Sequence, residues 1–332
     1  MANALDVLCM GEALVDFLPE RAGEAIKDVA RWHRCSGGSP ANVAVGLARL
    51  GASSGFAGVV GQDAFGDFLV ETLAREGVDV SRMRQTPEGK TGLVFISLDQ
   101  KGDRSFAMFR TRSAELFLCE RDLDVRHLER VRAVHCGTNS LLWPEAQRAV
   151  VAMIQAASAA GKIVSCDPNL RLHFWPEPRD LKGVLDRLLP WCTVVKLSED
   201  EIEFATGAQT PEAALRELAK RQVALPVVTL GERGALALWN GELLQAAAPR
   251  VDVADTTGAG DGFVSALLFG LTRLYAGRSE LLRATAQDVS ALLAFGCAVG
   301  ARVVQKLGAV AALPRIEELD AALPALLRRP PR

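Results

Sequence analysis

Short apolar runs recur along the 332-residue chain, several of them stopped by Gly or Asp: Val7-Leu8-Cys9-Met10, Ala133-Val134-His135-Cys136, Ile163-Val164-Ser165-Cys166, Thr193-Val194-Val195 and Val227-Val228-Thr229-Leu230. Continuous apolar strands suit a parallel sheet covered on both faces. Amphipathic stretches at 144–160, 181–189, 199–205 and 211–221 lie between or after them, so strand and helix alternate as in an α/β fold. In such sheets ligands bind beyond the carboxyl ends of the strands. Asp167-Pro168-Asn169, Lys196-Leu197-Ser198-Glu199 and Gly231-Glu232-Arg233-Gly234 each begin where one of these runs stops, and are expected along one edge.

Two segments depart from the alternation. Residues 14–18 with 25–34, and 92–98 with 104–109, read as paired strands joined by turns, with Gly102-Asp103 at a hairpin tip. They predict a small β-rich flap inserted into the main unit, its strands drawn from about 12–35 and 90–112. No repeat or linker divides the chain, and Trp175-Pro176-Glu177-Pro178 is only a loop. A single domain over residues 1–332 is expected.

Hydrophobic residues at 49% and charged residues at 23% are ordinary for a folded enzyme and exclude general disorder. With 38 basic and 40 acidic residues the net charge is −2, which offers no drive toward nucleic acid. The first apolar stretch carries Glu12 and Asp16, unlike a signal peptide, and the longest uncharged run, 289–301, is too short to span a bilayer. A cytoplasmic protein is expected. Its seven scattered cysteines form no C-x-x-C pair, which predicts reduced, mostly buried thiols, and its four histidines make no metal-binding cluster.

The richest chemistry lies in Thr256-Thr257-Gly258-Ala259-Gly260-Asp261, followed by the apolar run that opens at Phe263. A glycine-rich turn leading into a helix leaves the amides of residues 258–261 free to face an anion, such as a phosphate gaining charge during transfer. Asp261 among those donors is placed to take a proton from an attacking hydroxyl; the other reading is an acid that complements the helix dipole. Ser36-Gly37-Gly38-Ser39-Pro40-Ala41-Asn42 precedes a helical pattern, and its glycines admit close backbone approach while Asn42 both donates and accepts. Asp16 stands in an otherwise apolar strand and needs partners, either sugar hydroxyls or an arginine. Asp167-Pro168-Asn169-Leu170-Arg171 gathers an acid, an amide and a cation; Arg110 and Arg112 bring further charge near the flap. Gly89-Lys90-Thr91 imitates the end of a phosphate-binding loop, but position 84 is Arg where that loop needs Gly. Neither a G-x-S-x-G elbow nor a G-x-G-x-x-G after the first strand is present.

Together these residues resemble the ribokinase-like (PfkB) family of sugar kinases, and among its members most of all the fructokinases. The resemblance runs from Gly11-Glu12-Ala13-Leu14-Val15-Asp16 to Gly308-Ala309 and Ala312-Leu313-Pro314. It rests on two signatures in order, Gly37-Gly38 through Asn42 and Asp255 through Asp261. It implies a three-layer α/β/α fold with a β-sheet lid often used to dimerise, and ATP-dependent phosphorylation of a sugar hydroxymethyl group with Mg²⁺ on the phosphates. By the same resemblance Asp261 is the catalytic base and Gly258, Ala259 and Gly260 form the anion hole. Asp16, Gly37, Gly38 and Asn42 match sugar-binding positions, with Arg110, Asn169 and Arg171 beside them. Lys196, Glu201, Thr229, Gly231 and Gly234 fall in the nucleotide region, and Cys297 stands where Asn is usual. Asp255, Thr257 and Gly308 lie where members often hold a monovalent cation such as K⁺. Ser198 replaces the Asn of the family's N-x-x-E element. Arg112, where a neutral residue is expected, keeps an acidic sugar such as 2-keto-3-deoxygluconate open beside fructose; a non-catalytic sugar sensor is the reading from another class.

Overall fold

The computed structural model describes residues 4–21, 23–98, 104–175, 177–319 and 322–328. Its strands are β1 (Leu5–Met10), β2 (Leu14–Pro19), β3 (Trp32–Gly37), β4 (Ser54–Gly61), β5 (Asp79–Thr86), β6 (Leu93–Leu98), β7 (Arg104–Phe109), β8 (Val131–Cys136), β9 (Ile163–Cys166), β10 (Val194–Ser198), β11 (Leu225–Thr229), β12 (Ala235–Trp239) and β13 (Glu242–Ala246). The helices are α1 (Ser39–Arg49), α2 (Ala64–Arg75), α3 (Pro144–Ala159), α4 (Pro178–Leu188), α5 (Ile202–Thr206), α6 (Pro211–Lys220), α7 (Ala259–Leu274), α8 (Arg278–Leu281), α9 (Ala286–Val303) and α10 (Ala309–Ala312).

Nine strands form one sheet in the order β13-β12-β11-β10-β9-β8-β1-β4-β5. It is parallel from β11 to β5 and turns antiparallel only at β12 and β13. Successive residues of a strand point to opposite faces, and here both faces are apolar. Val7 and Cys9 of β1 enter the core beneath α1, α2, α7 and α9; Leu8 and Met10 enter the one beneath α3, α4 and α6. Ala133 against Val134 and Val227 against Val228 repeat the division. This doubly covered sheet is the α/β architecture expected from the apolar runs.

A second sheet, β3-β2-β6-β7, is assembled from the two insertions, with β2 parallel to β6 and its other pairings antiparallel. The predicted small sheet thus exists, with one shift of boundary: of residues 25–34 only 32–34 are strand. Ile26–Asp28 make a 3-10 turn, and the strand runs from Trp32 to Gly37, so Ser36 and Gly37 end a strand that leads into α1. The hairpin tip Gly102-Asp103 and Pro176 lie outside the described residues. Four strands have no counterpart among the apolar runs. β4 and β5 carry too many Gly, Ser and Arg residues to read as such a run. β12 and β13 are joined by Asn240-Gly241 with φ of 48° and 85°, a two-residue turn whose sequence signal was there to be used.

The described cysteines are all free, and Cys9, Cys136, Cys166, Cys192 and Cys297 are buried. No helix among the described residues is long and apolar enough to cross a membrane.

Candidate active site

β1, β9, β10 and β11 are parallel neighbours or near-neighbours, so their carboxyl ends open on one side of the sheet. The segments that follow them, with β2, β6 and β7 above, enclose a cavity of about 830 Å³. Glu12, Asp16, Gly38, Asn42, Arg110, Asn169, Arg171, Lys196, Glu201, Thr229, Gly231, Gly258, Gly260 and Asp261 all line it. A neighbouring cavity of about 650 Å³ shares Thr229, Gly231, Thr256 and Gly260, and adds Gly234, Ala259 and Cys297. The sequence candidates therefore converge on two joined spaces, one more polar and one more apolar. Gly37 lies beneath: a Cβ there would sit 2.1 Å from Asp16 Oδ2, so Gly at this position leaves room for the carboxylate.

Asp261 occupies the first turn of α7 and is buried. Both of its oxygens accept hydrogen bonds across more than two hundred residues of chain, Oδ1 from Ser39 Oγ at 2.6 Å and Oδ2 from Asn42 Nδ2 at 2.7 Å. Ser39 and Asn42 lie on the first turn of α1, which Gly38 starts at φ 100° with Pro40 at the second helical position. Burial raises the pKa of Asp261 and the Asp167 charge adds to that, while Ser39, Asn42 and Lys196 oppose it. The helix N-terminus is equally well defined. Gly258 takes φ 79°, and a Cβ there would stand 2.9 Å from Ala309 Cα. The amide of Ala259 donates to Thr256 O at 3.3 Å and that of Gly262 to Gly258 O at 2.8 Å. Among the described residues the amides of Gly258, Gly260 and Asp261 meet no backbone carbonyl, and first-turn amides project beyond the helix end.

Asp16 pairs in register with Cys35 of β3 and faces the cavity. Burial and the Asp261 charge push its carboxyl up to about 7 against the pull of Arg110. Glu12, fully buried, is also pushed up to about 7, chiefly by burial. Nothing in the apolar pattern of residues 8–15 singled out Glu12; an acid immediately after a core strand was the available signal. Ser39 and Asn139 are likewise site residues that sequence reasoning passed over.

Lys196 is buried inside β10, not beyond its end as expected, and its Nζ stands 3.0 Å from Asp167 Oδ2. Asp167, Glu201 and Asp261 hold its pKa above the usual lysine value against the cost of burial. A Cβ on Gly260 would sit 3.2 Å from this Nζ, which places the cation beside the α7 turn. Glu201 directs both oxygens to backbone amides, Oε1 to Leu170 at 2.5 Å and Oε2 to Ser198 at 2.7 Å, and so fixes the loops after β9 and β10. Ser198 is thus the N-cap partner of Glu201 in a capping box. Asp255, Thr257 and Gly308 do meet: Asp255 accepts from Thr257 N at 2.9 Å, Thr257 Oγ1 at 2.7 Å and Gly308 N at 3.0 Å. Arg112 does not join them. It takes φ 53°, lies over the Trp143 ring at 6.0 Å and lines neither cavity, so its part in the case for an acidic sugar falls away.

A family model described as pfkB family carbohydrate kinase matches residues 4–316. The chain belongs to that family. It is a carbohydrate kinase, and its relatives include the fructokinase of Klebsiella pneumoniae, 39% identical over 315 residues, covering 95% of this chain and 98% of that protein. Among solved structures, the fructokinase of Xylella fastidiosa with bound ATP superposes with a TM-score of 0.87 at 31% identity, covering 95% of this chain and 97% of that one. The fructokinase of Vibrio cholerae O395, in a form with fructose, ADP and calcium ion, gives a TM-score of 0.82 at 34% identity over 96% of this chain and 98% of that one.

Proposed function

We propose that this kinase transfers the γ-phosphoryl group of ATP to the primary hydroxyl of fructose, giving fructose 6-phosphate and ADP. The observation that carries this reading is Asp261, held by Ser39 and Asn42 in the polar cavity next to Gly260, which both cavities share, in the same turn as three amides that meet no backbone carbonyl. The polar cavity suits a sugar, with Asp16, Asn42, Arg110 and Asn169 in its wall; the apolar one suits a nucleotide base, with Cys297 and Gly234 in its wall. Arg171 at the rim adds positive charge near the phosphates.

In this mechanism the substrate oxygen attacks the γ-phosphorus as the bond to the β-phosphate oxygen breaks. Asp261 accepts the hydroxyl proton, a contribution worth typically about 10²–10⁴-fold. Gly258, Gly260 and Asp261 supply the amide end of α7 to the charge on the transferring group, whereas the Ala259 amide, expected among them, already donates to Thr256 O; one such donor is worth roughly 3–4 kcal/mol. Lys196, kept charged by Asp167, stands beside the same turn. Closure of the β2-β3-β6-β7 lid would exclude water from the transfer.

The described residues contain no cluster of three metal-binding side chains. Mg²⁺ arriving with the nucleotide would find Asp167 and Glu201 as acids of the same wall, able to accept from its water. When bound, Mg²⁺ neutralises phosphate charge. A monovalent cation at Asp255, Thr257 and Gly308 would have to share Asp255 with the donors Thr257 N, Thr257 Oγ1 and Gly308 N. We further infer a homodimer formed through the lid, supported by Phe109, 64% exposed on β7 beside Phe95. A cytoplasmic location agrees with this reading.

The test is Asp261→Asn with ATP and a panel of ketoses and sugar acids. We expect calorimetric binding of fructose and nucleotide to persist while kcat drops at least about 10²-fold. Near-normal turnover would remove Asp261 from the chemistry, and a wild-type preference for another sugar would replace fructose.

A further inference from the structure

The cavity wall contains a cation that is already neutralised. Arg110, just beyond β7, directs Nε to Glu115 Oε1 at 2.8 Å and Nη2 to Asn139 O at 3.2 Å, with its guanidinium 4.9 Å from the Phe174 ring centre. The side chains of the pair are only 9% and 1% exposed. Ser113 Oγ donates to the same Glu115 oxygen at 2.5 Å, which holds the acid against the arginine. Around the pair lie acceptors without donors: Glu12 Oε2, Asn42 Oδ1 and Asn139 Oδ1 are buried and have no hydrogen-bond partner in the protein. Unpaired buried acceptors favour a ligand that brings O–H groups and oppose one that brings another acceptor. The other buried cation of the wall, Lys196, is likewise paired, with Asp167.

We propose that Glu115 is a specificity-determining residue: by cancelling Arg110 it makes this wall accept the neutral hydroxymethyl end of a ketose and reject a carboxylate in the same place. The inference rests on the reading that a sugar occupies the polar cavity. A carboxylate needs an available cation to offset its dehydration, whereas the buried part of the wall offers it a spent arginine and the carboxyls of Glu12 and Asp16, and Arg171, which also lines the cavity, is exposed to solvent. The discrimination is therefore repulsive as well as attractive.

Glu115→Gln tests this. Glutamine keeps the volume and can still accept from Arg110 and Ser113, but removes the charge. We expect kcat/KM for 2-keto-3-deoxygluconate relative to fructose to rise at least about tenfold, the scale of one released charge interaction in a partly buried site. Glu115→Asp, which keeps the charge, should leave the ratio low. An unmoved ratio in folded E115Q overturns the proposal. Should E115Q fold poorly, the wild-type protein decides through calorimetric binding of fructose, 1-amino-1-deoxyfructose and 2-keto-3-deoxygluconate. The ammonium ligand should then bind at least about tenfold more tightly than the carboxylate, and equal or reversed affinities overturn the proposal. Failure of the wild type to bind or phosphorylate any of the three would overturn the sugar reading and this inference with it. Sugar turnover with an unmoved ratio overturns the inference alone.

Discussion

Ser39 offers a sharper test of the proposed base than removal of the base itself. In Ser39→Ala the carboxylate of Asp261 loses one of its two side-chain donors, the 2.6 Å bond to Oδ1. A hydrogen bond to a charged group contributes about 1.5–3 kcal/mol, and this one favours the ionised form of Asp261 over the protonated form. Burial already raises the pKa of Asp261, so losing the donor raises it further. The base must be ionised to act, which means that turnover falls as pH drops through its pKa. In S39A that decline should begin at higher pH. On the acid side kcat should fall about ten- to a hundredfold below wild type, which is the same free energy at about 1.4 kcal/mol per decade. On the alkaline plateau the two proteins should agree within a few-fold, because Asn42 still holds Oδ2. The assay is steady-state kcat from about pH 5 to 9 with saturating sugar and nucleotide, alongside thermal denaturation to show that S39A is folded. An equal loss at every pH would refute the reasoning, since it would mean that Ser39 positions the reactants and does not tune the base.

Asp16→Asn should weaken the pH dependence of the sugar KM, leaving the part due to Glu12, whereas in wild type KM should rise as pH falls through about 7 and the carboxylate is lost. The same variant should raise Tm at pH 8 but not at pH 4. The folded-state pKa of Asp16 lies above its unfolded value, so folding holds the proton longer and wild-type stability declines as pH rises between the two; calorimetric Tm at both pH values checks the sign. Arg49→Ala should destabilise the fold by about 3–5 kcal/mol in urea titrations. That residue forms a two-pronged, largely buried pair with Glu76, at 2.8 Å in each prong, and caps the Val310 and Leu313 carbonyls at 2.7 and 2.6 Å. A loss under 1 kcal/mol would show that the network is replaceable by water.

The five core strands were readable because each is apolar on both faces, and only a sheet with helices on either side buries both. The α7 turn was readable for a different reason. Gly258, Gly260 and Asp261 are constrained by their neighbours in sequence, through φ and through the first turn of a helix, so the local pattern carries the local geometry. β4 was missed because its burial comes from its neighbours rather than from its own composition, Gly55 lying against Leu5 of β1, and β5 because it is a half-exposed edge strand rich in polar residues.

Side-chain partnerships across the chain were not readable at all. Residue types announced an acid at 261, an amide at 42 and arginines at 110 and 112, but not that Asn42 bonds Asp261, that Arg110 is neutralised by Glu115, or that Arg112 faces Trp143. Even Arg110 and Glu115, five residues apart, are joined by an irregular turn rather than by a helical repeat. Backbone conformation follows from short-range sterics and periodicity, which a linear chain displays. Electrostatic pairing and desolvation depend on which groups the folded topology brings within a few ångströms, and for Asp261 those groups come from the opposite end of the chain.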